Sequence, residues 1–159
     1  MSNGPFVGQK SVSCLTIYPD GRVTYFHRWN PGKVGVDAKT GKKVLLEQAF
    51  SVESRLSRAD LLELPVFLES EAVQGLRDSF AVPHVFIDYH ESTTVEINGS
   101  DAKQKRIVTY DYGTADLERK SQLPAALVVL MDKIEEIKNQ AALKGKTANI
   151  PLDCQEIRK

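Results

Sequence analysis

The stretch Tyr18-Pro19-Asp20-Gly21, set between Leu15-Thr16-Ile17 and Val23-Thr24-Tyr25-Phe26, constrains the start of the chain most tightly. Proline presets one turn dihedral, aspartate can bond the backbone just beyond itself, and glycine accepts positive φ. The flanking β-rich runs are therefore expected to fold back on each other as a hairpin. After the turn, Val23, Tyr25, His27 and Trp29 share one face of the strand, and Thr24, Phe26 and Arg28 the other. Val44, Leu46, Phe50 and Val52 alternate, which predicts a third strand over 43–54 with one buried face and a three-stranded meander. Lys33, Lys39, Lys42 and Lys43 stand against Asp37 in the segment between, which reads as an exposed lysine-rich excursion ending in a Thr40-Gly41 turn.

Ser57 followed by Asp60 marks a helix start, a capping hydroxyl with an acid in the first turn. Leu61, Leu62 and Leu64 supply its apolar face, and Pro65 should end or kink it. Leu68, Ala72 and Leu76 predict a second short helical piece. A second β region is expected from about His84 to Tyr112, turning at Asn98-Gly99. Pro124 opens the longest helix, running to about Leu143. Along it Leu123, Leu127, Leu130, Ile134, Ile137 and Ala141 step by 4, 3, 4, 3, 4, an apolar stripe better suited to packing on a sheet than to pairing with another helix. Strands, helix, strands, helix, without strand–helix alternation, define an α+β fold: a mostly antiparallel sheet with helices packed on one face. The organisation is an irregular lead-in over 1–10, a single domain over 11–143 and a C-terminal tail over 144–159.

Charge narrows the function classes. The 21 basic and 21 acidic side chains cancel, with ten basic and nine acidic up to Phe80, so neither half is a basic arm or an acidic tail. Nucleic acid is not an expected partner on that balance. No run approaches the ~18 apolar residues of a membrane helix, so no membrane span is expected. The opening "MSNGPFVGQK" lacks a signal peptide's apolar stretch. A cytoplasmic location is the expectation from the sequence as it stands, and a periplasmic or secreted one if a leader has been removed. Cys14 and Cys154 are read as two free thiols, one in a strand and one in the tail; an oxidising compartment would allow one disulfide between them.

The runs "LTIYPDGRVTYF", "LSRADLLEL", "VEINGSDAKQKRIVTYDYG" and "LPAALVVLMDKIEEI" together resemble a family of small, uncharacterised bacterial α+β domains, over roughly residues 11–138. A cysteine-containing segment often precedes the first strand in that family. Here "NGPFVGQKSV" has none, and Cys14 lies within the strand. The resemblance implies an exported bacterial protein and brings no catalytic residues with it.

The sharpest chemical feature is "HVFIDYH". As a strand it places His84, Phe86, Asp88 and His90 on one face and Val85, Ile87 and Tyr89 on the other. Alternate Cα atoms lie about 6.6 Å apart, so Asp88 and His90 could share a divalent transition metal such as zinc, whereas His84 is about 20 Å from His90. Zinc needs three or four ligands, to be drawn from types such as His27, Glu91, Glu96 or Asp111. A solvated sheet face is the blander and favoured account. No nucleophile elbow, phosphate-binding glycine loop, Cys-x-x-Cys or His-Glu-x-x-His is present. The leading expectation is accordingly a non-enzymatic binding or interaction domain without a cofactor. Its candidate contact residues are Trp29, Tyr25, Lys39, Lys42 and Lys43, and its expected partner is another protein. A homodimer through the 123–141 helix or an open sheet edge is one form of that. The alternatives are a metal-binding protein or metal-dependent enzyme using Asp88 and His90, and an extracytoplasmic domain attached to a larger assembly through its tail.

Overall fold

A computed structural model describes residues 11–29, 33–46, 48–82, 91–98 and 104–149. In chain order the elements are β1 (Val12–Ile17), β2 (Arg22–Trp29), β3 (Val34–Val36), β4 (Lys43–Leu45), β5 (Gln48–Arg55), α1 (Arg58–Glu69), α2 (Glu71–Gln74), β6 (Ser79–Ala81), β7 (Ser92–Asn98), β8 (Gln104–Tyr110), α3 (Leu117–Lys120), α4 (Ala125–Lys144) and β9 (Lys146–Thr147). The fold is α+β, and its sheets are mostly antiparallel. Within the span predicted as one domain, two compact units separate: Met1–Ser57 with Ile137–Lys159, and Arg58–Glu136.

The first unit is built on a sheet ordered β1-β2-β5-β9. The predicted first hairpin forms, with Ile17 opposite Val23 and Leu15 opposite Tyr25. At its turn the Gly21 N–H donates to the Tyr18 carbonyl, Asp20 accepts from the Arg22 N–H at 2.9 Å, and Gly21 takes φ 85°. That left-handed φ is why glycine is needed at the position. The expected third strand is corrected to two. β4 leaves the sheet to pair with β3, and only β5 lies on β2. Phe50 and Val52 are half-buried, while Val44 and Leu46 are exposed, so the even-numbered alternation is shared by two different sheets. Ile137 and Ala141 are buried here. α4 ends against β5, where a Cβ on Gly145 would stand 2.8 Å from that of Val52. β9, unanticipated in the tail, adds to the outer edge of β5, and Ala148 and Asn149 continue that contact through Ser51. Cys14 is disulfide-bonded, which corrects the reading of it as a free thiol; Cys154 lies outside the described residues.

The second unit packs helices on a three-stranded sheet ordered β6-β8-β7. β7 and β8 are the predicted antiparallel pair, whereas β6 joins β8 in parallel. Val95, Ile97, Lys105, Ile107 and Thr109 point inward, and Thr94, Glu96, Arg106 and Tyr110 outward. Of these, Val95, Ile97 and Ile107 meet Val73, Leu76, Phe80, Leu127, Leu130 and Met131 in one core. The α4 stripe is thus spent inside, with Leu127 and Leu130 buried and Leu123 and Ile134 packed on the same cluster. Off that stripe α4 leaves Val129 and Leu143 exposed. Pro65 does not end α1, which continues to Glu69. Leu61 and Pro65 both lie on the exposed side, so the carbonyl deprived of its donor can bond water. Ser70 caps α2, accepting from the Val73 N–H at 3.4 Å, and the buried residue of that turn is Val73 rather than Ala72.

Candidate functional site

The lysine-rich segment is a two-stranded ribbon rather than a loop. Val34 pairs with Leu45, Gly35 with Val44 and Val36 with Lys43. Its tip is organised by Asp37, whose carboxylate accepts from the Lys39 N–H at 2.7 Å and the Thr40 N–H at 3.0 Å. Those two bonds, Thr40 first, hold the Asp37 carboxyl below the usual carboxylate range. The acid is therefore committed to the turn. Lys33, Lys39, Lys42 and Lys43 are exposed, and no carboxylate among the described residues forms an ion pair with them.

Between the lysines the ribbon is apolar on both faces. Val36 is 67% exposed, Val34 59%, Leu46 45% and Val44 39%. Leu46 lies over Gly35, where a Cβ would stand 2.7 Å from its Cδ2, so the ribbon covers a little of its own surface. Two strands alone are marginal in water, and this pair leaves apolar side chains exposed on both of its faces.

The aromatic candidates are placed differently. Tyr25 is 5% exposed and belongs to the core. Trp29 is half-buried and stacks on His27 at 5.0 Å, with Phe50 edge-on to both Trp29 and Tyr25. Burial first, and then the nearby Lys138 charge, lowers the His27 pKa, so this imidazole is a neutral member of the aromatic row. Of the five contact residues expected from the sequence, the three lysines lie on the ribbon surface and the two aromatics pack into the sheet.

His84, Asp88 and His90 lie outside the described residues. Of the ligand types considered beside them, Glu91 accepts from the Gly113 N–H, and its own N–H donates to the Asp111 carboxylate at 3.2 Å. Asp111 is buried at φ 60° and also returns its N–H to the Glu91 carbonyl. Glu96 stands 3.9 Å from Arg106. Among the described residues no group of three His, Cys, Asp or Glu side chains is placed to hold a metal ion.

Two further polar pairs sit in the second unit. Asp60, buried on the inner side of α1, meets the Lys133 ammonium at 2.5 Å, and Glu136 joins at 3.1 Å. The Asp60 bond raises the Lys133 pKa above the usual lysine range. Tyr112 donates to Asp132 at 3.2 Å, and burial, followed by that carboxylate's charge and bond, pushes its phenol up to about 12. Both pairs tie α4 to its neighbours.

The feature that sequence reading missed is the exposed stripe of α1, whose Leu61 and Leu62 were expected on the helix's packed apolar face. Leu64 alone of its leucines is buried, while Val66 is 71% exposed, Leu62 66% and Leu61 37%. With the exposed Pro65 these fall at i, i+1, i+4 and i+5 and form one apolar stripe facing solvent. The signal was the pair of adjacent leucines, Leu61 and Leu62, with Val66 beyond them, which a single stripe spaced by three and four cannot bury together with Leu64.

No family model matches the chain, and no curated protein or solved structure matches it. No helix among the described residues is long and apolar enough to cross a membrane.

Proposed function

We propose that this protein is a non-enzymatic interaction domain whose contact element is the β3–β4 ribbon. The observation behind the proposal is the pairing of four exposed apolar side chains with four lysines that have no ion-pair partner among the described residues. Apolar surface supplies the affinity, at about 25 cal/mol per Å² removed from water. The lysine rim selects a partner surface that is itself apolar and edged with acids, and it speeds the encounter. The partner is therefore a protein with an acidic, apolar face. The disulfide at Cys14 favours an oxidising compartment, in keeping with an exported bacterial protein of the kind the chain resembles.

Two synthetic amphipathic peptides test this, one carrying glutamates around a leucine stripe and the other lysines around the same stripe. Fluorescence anisotropy should show the acidic peptide binding at least about tenfold more tightly than the basic one, with the preference shrinking at 0.5 M salt. The triple variant Lys39→Glu/Lys42→Glu/Lys43→Glu should reverse the preference, and Val36→Asp should abolish binding of both. Equal affinity for the two peptides, or no binding of either, would overturn the proposal.

A further inference from the structure

We infer that the ribbon's partner is a second copy of this chain, and that the surface it covers is the exposed stripe of α1. The inference rests on the interaction reading above and names the occupant of the same ribbon.

Three properties match. The first is charge. The ribbon segment 33–46 carries four lysines against one aspartate, a balance of +3. The α1–α2 segment 58–71 carries Arg58 against Asp60, Glu63, Glu69 and Glu71, a balance of −3. Asp60 is turned inward to Lys133, while Glu63, Glu69 and Glu71 are exposed. The acids therefore edge the apolar stripe as the lysines edge the ribbon.

The second is polarity of the centres. Leu61, Leu62, Pro65 and Val66 on the helix face solvent, as do Val34, Val36, Val44 and Leu46 on the ribbon. Neither patch suits exposure alone, and each offers what the other lacks. The third is length. Leu61 to Glu69 rises about 12 Å along the helix, and the three-residue strands of the ribbon run about 10 Å.

An anionic membrane fits this pair less well than protein does. It would attract the lysines of the ribbon but repel Glu63, Glu69 and Glu71 around the helix stripe. A protein copy satisfies both, because each copy brings one basic ribbon and one acidic helix stripe. Zero net charge removes the long-range repulsion that would oppose self-association.

Sedimentation velocity of the full chain, disulfide intact, from about 1 μM to about 1 mM tests the inference. Wild type should associate with rising concentration, and 0.5 M salt should weaken that association. Lys39→Glu/Lys42→Glu/Lys43→Glu and Glu63→Lys/Glu69→Lys/Glu71→Lys should each lower the association constant at least about tenfold when alone. Mixed in equal amounts, the two should associate again, because each presents the charge that the other has lost. Leu62→Ser is the milder variant should either triple change fail to fold, and it should also weaken association. A wild type that stays monomeric, or that associates equally well in both charge variants, would overturn the inference. A monomer that still binds the acidic peptide through its ribbon would overturn this inference alone. A monomer that does not bind it would remove the interaction reading too.

Discussion

The two long helices of this protein are both rich in leucine and valine, yet they use them in opposite ways. In α4 the apolar residues step by three and four, and that stripe is buried at Leu127, Leu130, Ile137 and Ala141. In α1 they sit side by side, so one turn sends Leu64 and Asp60 inward and leaves Leu62 and Val66 outside. A helix whose apolar residues step by three and four can bury them along a single stripe. One with apolar residues on both sides has a face left over, and here that face is edged with glutamates. Hydrophobic content alone thus separates neither helix from the other; the angular spacing does.

The comparison breaks most sharply by truncation. Leu130→Ala should cost about 2–5 kcal/mol in urea unfolding, because it removes buried methyl groups and leaves a cavity in the core. Leu62→Ala should stay within about 0.5 kcal/mol of wild type, since its side chain already meets water. A Leu62→Ala loss as large as that of Leu130→Ala would mean that the α1 stripe is packed, and the docking surface would go with it.

A smaller effect tests the inner side of α1. Lys133→Met should destabilise by about 1–3 kcal/mol, because the Asp60 carboxylate stays buried and loses its charged donor. Asp60→Asn in the same background should recover part of that loss, since the amide carries no charge to be stranded. Thermal or urea unfolding of the three proteins checks the order.

The smallest effect is read with pH. The folded pKa of Tyr112 is raised to about 12, so the native state holds its phenolic proton more tightly than the unfolded chain, where tyrosine titrates near ~10. Its contribution is complete below the unfolded value and is lost as pH rises from there through the folded one. Lys133 is shifted in the same direction. Stability should therefore fall between about pH 10 and pH 12, and Tyr112→Phe should flatten part of the fall. An unchanged slope in that variant would count against the Tyr112–Asp132 bond.

Most of the fold was legible where a local rule and the tertiary need agree. The Pro19-Asp20-Gly21 turn, the hairpin it closes and the α4 stripe follow from turn chemistry and periodicity, which act within a few residues. The parallel pairing of β6 with β8 and the addition of β9 to β5 depend on segments far apart in sequence, and no local signal announces them. The candidate surface was half legible. The lysines stand out as a cluster, but the pattern reads Val34 and Val36 as part of an exposed excursion and places Val44 and Leu46 on the buried face of a strand. Alternation identifies a face without saying what covers it.

The amino-acid order by itself determined the α+β class, the first hairpin, the position of the long helix and the balance of charge. Each of these is set by backbone preference, side-chain period or simple counting. Only the tertiary structure decided which apolar residues are left over. Burial depends on whether another element arrives to cover a face, and for the β3–β4 ribbon and the outer stripe of α1 their side chains stay exposed.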